Sequence, residues 1–287
     1  MTDGPARIFD AHALALHRAR AARMEGDTFL LREAAQGLAE RLAAVNRRFA
    51  RGLDIESRPL SRAVLAPFAE HWEQAALGGN EALAVEPESF DLAVSVLTLH
   101  AVNDLPGVLA QIRRALKPDG LFLAALFGGA TLFELRQSMA AAEFETAGGI
   151  SPRVAPFADL RDLGGLLQRA GFALPVADVE RTAVLYRDFL TLPRDLRAHA
   201  ETNALAERSR KSLSRATLAA ISAHYAANHA QADGRLRATF DIVYLTGWAP
   251  HESQQKPLRP GSAKARLAEA LETDERSAGD KARPDQR

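Results

Sequence analysis

The amino-acid sequence predicts an α/β fold, with a mostly parallel, Rossmann-like sheet and helices on both of its faces. The main observation is a pair of almost continuous apolar runs, at residues 92–99 and 121–127, of the kind that forms strands buried on both sides. Between them, Val108, Leu109 and Ile112 recur at helical spacing, which predicts an amphipathic helix. Strand, helix and strand in this order form a right-handed βαβ unit.

Composition and charge narrow the class of protein. The chain has 287 residues, of which 47% are hydrophobic, and this suits one large α/β domain. Its 36 basic residues balance 36 acidic ones, so we expect no nucleic-acid partner. The absence of cysteine excludes disulfides, thiolate catalysis and cysteine-based metal centres. No metal-binding motif stands out, so we expect no metal.

Targeting signals are missing from the sequence. No apolar run reaches the ~18–20 residues that a membrane-spanning helix needs, so we expect no transmembrane segment. Charged residues recur through the first helical stretch, which does not fit a secretory signal peptide. The sequence therefore predicts a cytoplasmic protein.

The N-terminal half is predicted to contain a shortened part of the sheet. Apolar periodicity predicts two helices within residues 8–47, and a short apolar stretch predicts a first strand at Phe49–Ile55. Residues 56–89 have few β-branched residues and a helical composition. The stretch between Asp54 and Phe90 barely holds two crossovers and a strand, since each crossover takes at least ~10–12 residues. We therefore expect an element to be missing or abbreviated here.

Turn and capping residues set the later boundaries. Asp104 and Pro106 suit the start of the helix in the βαβ unit, and the Lys117–Gly120 turn ends it. Thr131 and Glu134 have capping-box spacing for the next helix. The remaining predicted elements are a helix over 159–170, a strand within 172–186, a largely helical segment over 189–230 and a last strand over 239–248.

The run SFDLAVSVLTLHAVNDLPGVLAQIRRALKPDGLFLAALFGG, at residues 89–129, resembles the second half of class I (type 11) S-adenosylmethionine-dependent methyltransferases. The pieces TLHAVNDLPG, LFGGATLFELR and GWAPHESQQKPLRPGSA resemble one subgroup. It contains the bacterial relatives of the mitochondrial complex I assembly factor that acts as an arginine hydroxylase. The chain is also similar to the carboxyl methyltransferases that act on malonyl-acyl-carrier protein.

The resemblance implies a seven-stranded sheet that holds S-adenosylmethionine at the carboxyl ends of its first strands, where open α/β sheets bind ligands. We therefore divide the chain into N-terminal helices at 1–48 and a methyltransferase-like domain at 49–261, with a helical lid expected at about 189–230. The polar, charged composition beyond residue 262 predicts a disordered tail at 262–287. The implied function is methyl transfer to a protein or carrier-bound group. Two alternatives stay open: hydroxylation of an arginine in a complex I subunit, and a non-enzymatic assembly role without the cofactor.

The first motif of the family, an acid followed by a glycine-rich loop, aligns with Asp54 and Glu56. Here residues 54–59 read DIESRP, with no glycine to let the backbone approach the cofactor. This departure predicts weakened cofactor binding. Asp54 also suits a helix N-cap or a solvated strand end.

Other family positions complete the predicted site. The cofactor contacts implied by the resemblance include Asn80, Glu81 and Ala82 beside the adenine, together with Val96; a plain loop explains 80–82 as well. For the ribose, the two candidate acids are Glu70 and Glu73, which equally suit a solvated helix face.

His100 follows the second apolar strand and is the candidate catalytic residue. A histidine at this place can act as a general base, although a packed wall is the alternative. In the stretches that match the subgroup, Arg136, Glu143 and Arg153 either line the substrate side or form surface ion pairs.

Overall fold

A computed structural model describes residues 7–24, 26, 28–255 and 273 of the chain. The chain divides into two compact units, Met1–His251 and Glu252–Arg287, and the elements described below belong to the first. The tail predicted at 262–287 lies outside the described residues except for residue 273. In the described part the helices and strands are α1 (Ala11–Ala21), α2 (Phe29–Ala44), β1 (Phe49–Ile55), α3 (Pro59–Leu65), β2 (Ala69–Ala75), β3 (Phe90–Val96), α4 (Leu105–Ala115), β4 (Leu116–Gly128), α5 (Phe133–Ala147), α6 (Leu160–Arg169), β5 (Ala173–Tyr186), α7 (Thr191–Ala198), α8 (Arg215–His229) and β6 (Leu236–Trp248).

The strands form one sheet in the order β2-β1-β3-β4-β6-β5. The pairs β1–β2, β1–β3 and β3–β4 are parallel, and β6 runs antiparallel to both β4 and β5. The predicted βαβ unit is confirmed, since β3 and β4 pair side by side in parallel with Val94 opposite Leu123. Successive strands lie on opposite sides of β1, which makes the carboxyl ends of β1 and β3 the switch point where such sheets bind ligands.

The first half of the sheet is abbreviated, as the chain length predicts. The resemblance implies seven strands, whereas the described residues form six. Only the short helix α3 and one 3-10 turn join β1 to β2, and the chain then returns to β3 through residues 76–89 without a helix. The missing strand and its crossover helix are the elements for which the sequence has no room.

The edge strand β2 corrects the prediction that residues 56–89 are helical. It pairs with β1 over its full length, but four of its seven residues are polar and these four are exposed. An edge strand with a solvated face has no continuous apolar run, and this is why its composition does not reveal it. Its anchor is Trp72, whose indole packs over Gly52 of β1 and donates to the Ala66 carbonyl at 3.1 Å.

Two apolar layers enclose the sheet. Successive residues of β4 alternate between them: Leu123 and Phe127 face the layer that contains α2, α5 and α8, and Phe122 and Leu126 face the layer that contains α4 and α6. Helices therefore cover both faces, as predicted. The N-terminal helix α2 belongs to this core, since its apolar stripe, including Leu38, is fully buried.

The predicted capping box at Thr131 and Glu134 is wrong. Helix α5 has Leu132 at its N-cap, in the left-handed region, and no side chain caps it. Thr131 Oγ1 instead donates to the Gly128 carbonyl at 2.8 Å, and the buried Glu134 carboxylate accepts from Thr239 N at 3.1 Å and from Thr239 Oγ1 at 2.5 Å. The spacing is that of a capping box, but both side chains form hydrogen bonds with residues of β6.

Candidate functional site

The carboxyl ends of β1 and β3, which we call the cofactor edge, begin with a buried acid. Asp54 is 2% exposed. Its carboxylate accepts from Ser57 N at 3.2 Å and lies 3.3 Å from Arg62 Nε. The acid therefore shapes the turn after β1 and is not a solvated strand end.

Glu56 stands where the family has its glycine-rich loop. Its φ of 56° lies in the left-handed region that glycine adopts freely. Its Oε2 accepts from Arg18 Nη1 of α1 at 2.6 Å, and its Oε1 accepts from Leu77 N at 3.1 Å. One side chain thus joins α1, the end of β1 and the segment after β2.

Further charged groups close the space beyond Glu56. Arg58 donates to the His199 carbonyl at 2.7 Å, and burial holds its pKa below the ordinary value for arginine. The cavity bordered by Glu56, Arg58, His199 and Glu201 has a volume of only about 20 Å³.

The residues predicted to hold the adenine ring contact the chain's own backbone. The Glu81 carboxylate accepts from Asn103 N at 2.6 Å and from Asp104 N at 2.7 Å. Asn80 Oδ1 accepts from Ala82 N at 3.3 Å, which tightens the same loop. Val96 is 1% exposed inside the sheet.

S-adenosylmethionine therefore does not fit the cofactor edge in this structure. Sites for small molecules and cofactors of this size have volumes of about 300–1,000 Å³, far above the 20 Å³ found here. The ribose candidates do not help, because Glu70 and Glu73 lie along β2 and not at its end. Glu73 accepts from Arg51 at 3.0 Å on the exposed side.

A second cavity, which we call the side pocket, lies next to the cofactor edge. Its volume is about 240 Å³, and the residues that matter for its chemistry are His100, Phe127, Arg153, Phe157, Glu201 and Phe240. The predicted lid segment 189–230 contributes to it through Leu196, Glu201 and Leu213. Whether this segment moves as a lid stays a prediction.

His100 and Glu201 form a pair at the boundary of the side pocket. His100 Nε2 lies 3.0 Å from Glu201 Oε2, and the ring packs edge-on against Phe127 with centroids 5.1 Å apart. Its side chain is 5% exposed, and its Nδ1 is buried with no hydrogen-bond partner among the described residues. His100 is thus both a packed wall and a polar group within a pocket.

Glu201 carries a negative charge at this boundary. Burial opposes its ionisation, but the His100 ring and the nearby Arg58 hold its pKa below the ordinary value for glutamate. Its side chain is 18% exposed, and among the described residues the only hydrogen-bond partner of its carboxylate is His100. The sequence reasoning missed Glu201, which lies in a segment without a motif.

Arg136, Glu143 and Arg153, the charged residues that the sequence places on the substrate side or in surface ion pairs, have different contacts. Arg153 Nε donates to Glu143 Oε1 at 2.8 Å, and Ser151 N donates to Glu143 Oε2 at 2.9 Å. This buried pair places Arg153 on the side pocket with its charge neutralised. Arg136 donates to the Ala155 carbonyl at 2.9 Å and borders a separate, open cleft of about 610 Å³.

The described residues include neither a metal-binding cluster nor a membrane-spanning helix. They contain no group of three or more histidine and acidic side chains arranged to hold a metal ion. Their helices are all too short or too polar to cross a lipid bilayer.

The sheet order and the helices on both faces define a Rossmann-like α/β fold, with the candidate site at the ends of β1 and β3. A solved structure of a candidate methyltransferase from Bacillus halodurans shares this fold, with a TM-score of 0.50 and 13% identity over 75% of this chain and 98% of its own. The YcgJ protein of Bacillus subtilis matches equally well, with a TM-score of 0.50 over 76% of this chain and 98% of its own, also at 13% identity.

Sequence comparison agrees with the fold. Residues 34–124 match the family model described as a methyltransferase domain. The mitochondrial arginine-hydroxylase NDUFAF5 is 47% identical in Dictyostelium discoideum, over 64% of this chain and 42% of the relative. The Homo sapiens protein of the same name is 44% identical, over 67% of this chain and 56% of the relative. The malonyl-[acyl-carrier protein] O-methyltransferase of Laribacter hongkongensis is 38% identical, over 63% of this chain and 58% of the relative.

By sequence, residues 34–124 are thus similar to methyltransferase domains, and by fold the chain is similar to solved Rossmann-like structures. It spans about half the length of the curated relatives that it matches.

Proposed function

We propose that this protein binds an arginine side chain of a protein client in the side pocket. The observation that carries the proposal is the ionised Glu201 carboxylate at the boundary of an otherwise largely apolar cavity. A guanidinium group pairs well with a carboxylate and stacks on aromatic faces. Phe127, Phe157 and Phe240 supply such faces in the same pocket.

The size of the side pocket suits one long side chain. Its 240 Å³ lies below the range of about 300–1,000 Å³ in which whole drug-sized ligands are enclosed. A polypeptide that inserts a single residue needs no larger volume. The apolar stem of an arginine would contact Leu135 and Leu196, which also line the pocket.

Of the arginines near Glu201, Arg58 and Arg153 are engaged elsewhere, whereas the exposed Arg197 also lines the side pocket. Arg153 is already paired with Glu143, and Arg58 donates to the His199 carbonyl. His100 positions Glu201 through its Nε2. We assign no methyl-transfer or oxidation step to this pocket.

Similarity to known proteins also supports an arginine side chain as the ligand. The relatives named as arginine-hydroxylase are 42–47% identical to this chain, whereas those named as malonyl-[acyl-carrier protein] O-methyltransferase are 34–38% identical. The family resemblance makes a subunit of respiratory complex I the client that we propose. By binding that subunit, the protein would act in the assembly of the complex.

The test compares two probes that differ in charge, N-acetyl-arginine amide and the uncharged N-acetyl-citrulline amide. We expect the arginine probe to raise the melting temperature at millimolar concentration, because a ligand that binds only the folded state stabilises it. We expect the citrulline probe to have little effect, and Glu201→Gln to abolish the difference. Glu207→Gln, in the open cleft, is the matched control and should behave like wild type.

Equal shifts with both probes would contradict the proposal. An arginine response that survives in Glu201→Gln would contradict it as well. For the client itself, the expected result is chemical cross-linking between residues around the side pocket and an arginine-containing segment of a complex I subunit, with loss of the cross-link in Glu201→Gln.

A further inference from the structure

We infer that an ion pair of the chain itself, Arg18–Glu56, has replaced the methionine part of S-adenosylmethionine, so that the protein does not bind this cofactor. The inference does not depend on the proposed arginine site. It rests on what fills the cofactor edge, where the family's loop has no glycine in this sequence and the remaining cavity measures about 20 Å³.

The backbone at Glu56 lies in the left-handed region, which glycine adopts most readily. Its φ of 56° is unfavourable for a residue with a Cβ atom, and glycine would adopt it without cost. Polar contacts of the glutamate side chain help to offset this backbone strain. The contacts are those with Arg18 at 2.6 Å and Leu77 N at 3.1 Å.

The ion pair also presents the charges of the group that it replaces. The methionine part of the cofactor carries an ammonium and a carboxylate, and the pair carries a guanidinium and a carboxylate. Glu56 is 13% exposed and Arg18 is 38% exposed, so the acid lies inside and the guanidinium closes the entrance. Arg18 belongs to α1, and this helix therefore covers the cofactor edge.

The adenine half of the site is closed independently. Glu81, with a φ of 58°, directs its carboxylate at Asn103 N and Asp104 N. Gln111 Nε2 donates to the Glu81 carbonyl at 3.1 Å, and Leu83 N donates to Gln111 Oε1 at 2.8 Å. The loop is thereby bound to the start of α4, with its polar groups directed at protein and not at a nucleoside.

The first experiment is calorimetric titration of the full chain with S-adenosylmethionine and, separately, with S-adenosylhomocysteine. We expect no binding heat up to millimolar concentration and no change in melting temperature. Saturable binding of either compound in the micromolar range would overturn the inference.

The second experiment tests the ion pair by a double-mutant cycle with Arg18→Ala, Glu56→Ala and the double variant. If the pair acts as one unit, the double variant loses no more melting temperature than the worse single variant. The exposed pair Arg51–Glu73, whose side chains are 46% and 50% exposed, is the matched control and should show small, additive changes. Additive losses at Arg18 and Glu56 would contradict the inference. Neither experiment uses the arginine probe. A failure of the ion-pair inference can therefore be distinguished from a failure of the proposed arginine binding.

Discussion

At the scale of single residues, His199 shows how the fold selects one protonation state. Leu30 N donates to its Nε2 at 3.2 Å, and its Nδ1 lies 2.8 Å from the Asp195 carbonyl oxygen. The first ring nitrogen accepts and the second donates, which together require the neutral imidazole. Burial lowers the pKa of His199, and the charge of Arg58 lowers it further.

The first prediction follows from the direction of this shift. In the unfolded chain His199 takes up a proton near pH 6.5, while in the folded chain it stays neutral to lower pH. Stability is therefore fully present above about pH 6.5 and falls as the pH decreases below it. We expect the midpoint of urea unfolding to drop between pH 7.5 and pH 5.5, and to drop less in His199→Asn. The control His71→Asn, on the exposed face of β2, should keep the wild-type pH dependence. Equal pH dependence in wild type and His199→Asn would show that another group is responsible.

At the scale of elements, the attachment of β2 gives the second prediction. A Cβ atom on Gly52 would lie 2.7 Å from ring carbons of Trp72, which is closer than real contacts allow. Gly52→Val should displace the indole and destabilise the protein by about 1–3 kcal/mol, the usual cost of overpacking. Urea unfolding followed by tryptophan fluorescence measures both effects. Ala50→Val, at an exposed site in the same strand, should leave stability within about 0.5 kcal/mol. An unchanged unfolding midpoint in Gly52→Val would contradict the packing.

The strands of the sheet differ in how well their sequence alone predicts them. The strands β3 and β4 are buried on both faces, so their composition alone predicts them. The strand β2 contributes Trp72 to the core and exposes most of its other residues, so only its pairing with β1 defines it. Thr131 and Glu134 have the local spacing of a cap, but contacts with β6 decide their bonds. Long-range contacts outweigh local patterns in both cases.

At the scale of the whole molecule, the site is assembled from distant segments. The sequence predicted the place of the cofactor edge and, through His100, one wall of the side pocket. It did not predict Glu201, which is 101 positions from His100, or Arg18, which is 38 positions from Glu56. Nothing local distinguishes these two residues from solvated charges. Only the tertiary fold brings them together.

The last prediction concerns the connection between the N-terminal segment and the sheet. Asn103 Oδ1 accepts from Phe9 N at 2.8 Å, and its Nδ2 donates to the Phe9 carbonyl at 3.3 Å and to Glu81 Oε1 at 3.0 Å. One amide thus joins the chain before α1, the loop before β3 and the start of α4. Removing it should loosen these segments together while the core strands keep their protection.

We expect Asn103→Ala to speed amide hydrogen exchange in residues 7–21 and 76–85 by roughly fivefold, since a net hydrogen bond contributes about 1 kcal/mol to local stability. Exchange in β3 and β4 should not change. Asn228→Ala removes an amide that donates within α8 to the His224 carbonyl at 2.8 Å and serves as the control, because it joins no distant segments. Faster exchange throughout the sheet would mean that Asn103 supports the whole fold. Unchanged exchange in residues 7–21 would mean that the contacts between Arg208 and Asp10 at 3.0 Å and between Arg18 and Glu56 hold the segment without it.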